Sequence, residues 1–205
     1  LNWPSMHFNF RKDAKKKEKD QRDNYNKAIR EIDILVRDVE AYHQRRTVKE
    51  RKADQKQQSD LRLESMIPFV IHHEPIHIRA NDIRQIEAAV KWANKHNFNI
   101  VIVGGQDAWR IPELLVKYNI PVILMSIQTT PTRRFEPIHT PYKIPTMLHE
   151  AGVKFCISTD PGYPFDGHVR TLPNEAMRAA AWGLPKSEAL RSITLSAAEI
   201  LGVGE

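Results

Sequence analysis

Asn99-Ile100-Val101-Ile102-Val103-Gly104-Gly105-Gln106-Asp107 is an unbroken apolar, β-branched run that stops at two glycines. Strict alternation would mean a strand with one wet face. A continuous run means burial on both faces, as in parallel sheets. Two further runs of this kind are Val122-Ile123-Leu124-Met125 and Phe155-Cys156-Ile157-Ser158. Strands are expected over 75–79, 99–103, 121–126 and 153–159.

The segments between these runs read as helices with stop signals. Helix 82–96 buries Ile83, Ile86, Val90 and Ala93 and closes near Asn97. The next opens at Pro112 and closes near Asn119, and a third covers 142–151 and closes at Gly152. Asn and Gly accept the left-handed conformation that ends a helix. The order is therefore β-α-β-α-β-α-β, three crossover units in a row. Three more helices follow, opened by Pro173 and Pro185 and by a capping box, Ser196 with Glu199.

The first 66 residues differ in kind. They hold 17 basic and 12 acidic residues, against 14 and 13 in 67–205, so most of the net charge of +6 sits there. Ala28, Ile32, Leu35, Val39 and Tyr42 recur at helical spacing, which predicts an amphipathic helix over about 24–56. The stripe ends after two heptads, too soon for a coiled coil. The lysines of 11–20 alternate with acids and few aromatics accompany them, which marks a solvated helix face and argues against a nucleic-acid partner. Two segments are expected: 1–66, basic and largely helical, and 67–205, built of strand–helix units.

No apolar run is long enough to cross a bilayer, so no membrane partner is expected. The single cysteine, Cys156, excludes a disulfide framework and a multi-thiolate metal site and leaves the compartment open. Leu1 is not a methionine and no leader pattern follows it, so the chain reads as a fragment or processed product.

In parallel α/β folds, sites lie beyond the carboxyl ends of the strands. That directs attention to Arg79, Gly104–Asp107, Ser126–Gln128 and Thr159–Gly162, and to the loop 129–142 with Arg133, Arg134 and His139. Asp160 stands out, because a carboxylate at the end of a buried strand suits a metal ligand or a general base; a loop cap is the equal alternative. Arg79, Gln106 and His139 are candidate pocket residues. His73-Glu74-Pro75-Ile76-His77 matches HExxH literally, but that zinc motif needs a helix and Pro75 breaks one. Gly104-Gly105 lacks the remainder of any nucleotide-binding signature and reads as a tight turn.

Residues 145–203 carry a longer pattern: Pro145-Thr146-Met147-Leu148-His149-Glu150-Ala151-Gly152-Val153-Lys154, then Ser158-Thr159-Asp160, Leu172-Pro173-Asn174-Glu175-Ala176, Gly183-Leu184-Pro185, Glu188 to Leu195, and Ala198-Glu199-Ile200-Leu201-Gly202-Val203. This resembles the C-terminal barrel half of the amidohydrolase superfamily, on its imidazolonepropionase-like branch, over about 75–205. The resemblance implies a partial TIM-type (β/α) barrel of about four parallel strands preceded by a helical segment. It implies hydrolysis of non-peptide carbon–nitrogen bonds in a small-molecule substrate, with zinc or another divalent metal. Asp160 matches the family's eighth-strand Asp, which binds metal and handles the proton. Ile78 and Gly104 stand where the fifth- and sixth-strand histidines belong, and no His-x-His occurs. His77, one residue from Ile78, would face away from the barrel centre on strand parity. The metal site is therefore expected to be incomplete in this chain, and whether it is an enzyme stays open; the alternative is a non-catalytic binding or assembly module on the same scaffold. Four strands cannot close a barrel of eight, so a second copy completing the barrel is expected unless 1–66 covers the open edge.

Overall fold

A computed structural model of the protein describes residues 14–50, 59–159 and 170–204. Its strands are β1 (Ile76–Ala80), β2 (Ile100–Gly104), β3 (Val122–Met125) and β4 (Phe155–Ser158), in one sheet of order β1-β2-β3-β4. Neighbours in sequence are neighbours in space, with no reversal of order. That is the order of a barrel segment rather than of a doubly wound sheet. β2 pairs parallel with β3 (Ile102 opposite Val122, Gly104 opposite Leu124), and β3 with β4 (Val122 opposite Phe155, Leu124 opposite Ile157). The sheet is a parallel α/β array that does not close, as the β-branched runs predict.

The crossover helices are α4 (Ile83–His96), α5 (Pro112–Lys117) and α6 (Thr140–Glu150), with a 3₁₀ turn at Ala108–Arg110. Each closes where a left-handed residue was expected: φ is 55° at Asn97, 50° at Asn119 and 76° at Gly152. Beyond β4 come α7 (Leu172–Ala181), α8 (Lys186–Ser192) and α9 (Leu195–Ile200). The side chains of Ile78, Ile86, Ile102, Leu115, Leu148 and Ile157 are at most 2% exposed. Each contributes about 1.5–3 kcal/mol by leaving water.

One local expectation fails. Ser196 and Glu199 form no capping box, since Thr194 is the cap residue of α9 and no side chain caps that end. Arg191 takes both groups instead. Its Nη2 donates to the two Glu199 oxygens at 2.7 and 2.9 Å, and its Nη1 to Ser196 Oγ at 3.2 Å. A charged guanidinium reaches both groups at once, and its bonds to a carboxylate are charge-assisted, which a backbone N–H cannot match.

By internal contacts the chain divides into two units. One comprises His77–Ala93 and the described residues from Ile100 onward; the other comprises the described parts of Pro4–Ile76 together with Asn94–Asn99. In the second unit a single helix, α1 (Ala14–Glu50), is longer at its start than the apolar stripe foretells, and 51–56 lie outside the described residues. Val36, Val39 and Tyr42 are buried. Two short helices, α2 (Leu61–Glu64) and α3 (Ile67–Val70), pack against it. Tyr42 Oη and Arg46 Nη1 donate to Glu64 Oε1 at 3.0 and 2.7 Å. Asp33 accepts from Lys95 Nζ at 2.9 Å and faces His96 Nε2 at 3.0 Å.

Candidate functional site

Register assigns every strand residue to one of two faces. Ile76 N donates to Asn99 O and Gly105 N to Ala80 O, both at 2.9 Å. In a parallel ladder those two bonds set Ile76 opposite Ile100 and Ala80 opposite Gly104. Ile78 then lies opposite Ile102, and His77 opposite Val101. One face gathers Ile78, Ala80, Ile100, Ile102, Gly104, Val122, Leu124, Phe155 and Ile157, all buried. The other gathers Val101 and Cys156, buried, His77, Val103, Ile123, Met125 and Ser158, half-buried, and Arg79, exposed. Here α9 covers only one end, where Ile200 and Ala197 pack on Val101, Ile123 and Cys156.

His77 shares the half-buried face with Ser158, whereas Ile78 and Gly104, the positions matched to ligand imidazoles, lie on the buried one. Burial holds the His77 imidazole below its ordinary pKa, so its ring is neutral at neutral pH.

The HExxH match forms no helical site. His73 sits in a turn with φ 57°, and β1 begins at Ile76.

The carboxyl edge of the sheet is organised by Asp107, which is 1% exposed. Arg133 Nη1 and Nη2 donate to its two oxygens, each at 2.7 Å, and Arg110 Nε donates to Oδ1 at 3.3 Å. The N–H of Ile83, the first residue of α4, donates to Oδ2 at 3.1 Å. Glu136 closes the network, accepting from Arg133 Nη1 at 3.0 Å and from Arg110 Nη2. Burial alone would raise the Glu136 pKa, but hydrogen bonds from Arg133 and Arg110 bring it below the ordinary carboxylate value. The Asp107 bonds in turn raise the pKa of Arg133. A loop that could have been mobile is thus fastened to the ends of β2 and α4.

A second buried acid, Glu175, lies in the first turn of α7 and is 3% exposed. It accepts from Ser126 Oγ at 3.1 Å and from Ile127 N at 2.9 Å, tying α7 to the end of β3.

Between these anchors is a recess lined by Gly104, Gln106, Trp109, Ser126, Glu136 and Thr140, among others. It has room for water centres of about 20 Å³, little more than one water. Of the candidate pocket residues, Gln106 lines this recess and accepts from Thr132 Oγ1 at 3.4 Å. Arg79 points from the half-buried face. His139 stacks on Trp182, centroids 5.1 Å apart and planes 8° apart. Asp160 lies outside the described residues, so its position is not among these observations. The strand-end stretch Gly104–Asp107 includes Asp107 without giving it a role, and Glu175 goes unassigned; the signals present were a carboxylate two residues after Gly-Gly and an acid in the first turn after Pro173.

No family model and no curated protein matches the sequence. Among solved structures, the chain is similar to the crystal structure of an amidohydrolase from Thermotoga maritima MSB8, with TM-score 0.69 and 22% identity. The match covers 84% of this chain and 44% of that one. The fold is amidohydrolase-like. The chain thus spans under half the length of that amidohydrolase, and the likeness extends to the scaffold.

The amidohydrolase-like fold raises the question of a metal, and the described residues do not by themselves make up a site for one. Among the described residues no group of three His, Cys, Asp or Glu could hold an ion. Ile78 has no donor atom, and Gly104 has no side chain at all. The described acids at this edge, Asp107, Glu136 and Glu175, are already committed, the first two to guanidiniums and the third to the Ser126–Ile127 turn. Among the described residues no helix is long and apolar enough to cross a membrane.

Proposed function

We propose that this chain is the C-terminal half of an amidohydrolase barrel, of the imidazolonepropionase-like branch, that hydrolyses a non-peptide carbon–nitrogen bond of a small-molecule substrate. The observation that carries this reading is the strand order β1-β2-β3-β4, all in sequence, in a fold that matches 84% of the chain to an amidohydrolase. The pattern over 145–203 supports the same reading from the sequence side. Asp160, two residues past Ser158 on the strand that ends the sheet, is the carboxylate assigned to move the proton of the attacking water and to serve as metal ligand. Zinc or another divalent metal belongs to this reading with donors beyond Asp160, because Ile78 and Gly104 supply no side-chain ligand. The partner that closes the barrel is a second copy pairing with the open edges of β1 and β4, and no observation favours a non-catalytic module.

The test is hydrolysis of a panel of lactams, cyclic imides and N-acyl compounds by the purified chain, wild type against Asp160→Asn. Loss of at least about 100-fold in kcat/KM is expected for removal of a general base. Turnover unchanged by Asp160→Asn sinks the assignment. Sedimentation velocity reads the second part: a dimer is expected, and a stable monomer overturns closure by a second copy.

A further inference from the structure

The last helices of the chain bring two apolar stripes together. α7 and α8 pack on β4 and on each other. Ala176, Met177 and Ala180 on α7, and Lys186, Ala189 and Leu190 on α8, recur at spacings of three and four, so each helix turns one stripe toward the same groove. That groove has room for water centres of about 500 Å³, against about 20 Å³ in the recess at the carboxyl edge. Ala176 and Ala189 are buried and with Ala180 make its floor; Met177 and Leu190, each 62% exposed, make its walls. Lys186 is the one charge in the lining, and its flexible stem can carry the ammonium out to water. A contiguous apolar surface of this kind marks an interaction site. Apart from Lys186 the lining offers no hydrogen-bonding side chain, so an occupant must satisfy its own backbone groups, as a helix does.

The occupant must also bring a ridge of large apolar side chains. On the other described helices Ile34, Leu61, Val116 and Leu195 are exposed, one to a helix. Met177 and Leu190 instead stand together, on the walls of one groove. This face therefore carries both the ridge and the hollow that receives it. A two-fold interface requires that combination, because residue i of one copy meets residue j of the other and j meets i. We infer that the α7–α8 face binds the same face of a second copy of this chain, with Met177 and Leu190 of each copy seated on the alanine floor of the other. This goes beyond barrel closure, which uses the edges of β1 and β4. Nine residues line the groove, well under the roughly 20–30 a side of a standard interface, so a Kd of about 10 µM is expected.

Sedimentation equilibrium of the full chain, from about 2 to 200 µM, brackets that Kd. The wild-type mass is expected to double across the range. Leu190→Asp places a carboxylate on the wall of each copy, so the change enters a two-fold interface twice and buries two unpaired charges. Association at least about 100-fold weaker is expected, and the mass of this variant should stay constant. Met177→Asp, also at an exposed position, should behave in the same way. Barrel closure sets the mass at the dilute end, dimer or monomer, whereas this face sets the rise, so the two readings fail separately. A wild-type mass that stays constant over the range overturns the inference, as does a rise that survives both substitutions. Calorimetry with dodecanoate covers the other kind of occupant. One dodecanoate bound per chain and lost in Leu190→Asp assigns the groove to an aliphatic ligand and overturns the second copy; no binding is expected.

Discussion

Asp107 and Glu175 are both carboxylates buried at strand ends, 1% and 3% exposed, and they are satisfied in opposite ways. Asp107 takes two guanidiniums and a backbone N–H. Glu175, among the described residues, takes a hydroxyl and a backbone N–H. A charge matched by opposite charge cannot lose its partner without leaving a buried ion, whereas a carboxylate held by neutral donors can be exchanged for a neutral amide of the same shape. The two sites therefore fasten the same edge of the sheet with different sensitivity to substitution.

Asp107→Ala should do most damage. It strands Arg133 and Arg110 and frees the first N–H of α4, and about 3–5 kcal/mol of stability is expected to go in chemical denaturation. Arg133→Lys keeps the charge but not the fork that meets both Asp107 oxygens, and about 1–2 kcal/mol is expected. Acid should loosen the same network without mutation. The folded pKa of Glu136 is below its ordinary value of 4.5, so the unfolded chain binds its proton first. Stability from Glu136 is complete above about 4.5 and lost as pH falls below it, and amide exchange in 131–139 should rise in that window. Glu175→Gln should change stability by less than about 1 kcal/mol, since an amide can still accept from Ile127 N and donate to Ser126 Oγ. A loss as large as that at Asp107 would erase the contrast. Arg191→Ala, at a pair with both side chains about 40% exposed or more, should lie within about 1 kcal/mol of wild type.

What the sequence made legible was whatever short-range chemistry decides. Three apolar runs and the segment Ile76-His77-Ile78 became four strands, and Asn97, Asn119 and Gly152 ended their helices because their φ is positive. The ion network was hidden because its partners are 26 residues apart, with nothing local to link Asp107 to Arg133. The capping box failed for the same reason, since a guanidinium in the preceding helix outbid the local motif. The face His77 shares with Val101 and Ser158 follows from the hydrogen bonds of Ile76 and Gly105, which no local pattern in the sequence reveals. α2 and α3, four residues each, were too short for any periodicity to reveal.

Cys156 is 4% exposed beneath Ile200 and Ala197, and burial raises its thiol to about 11. At neutral pH a sulfhydryl so placed reacts with alkylating reagents only when the cover lifts. The chain thus carries a chemical clock for the detachment of its last helix, and any ligand, added strand or second subunit that steadies that end of the sheet will slow it.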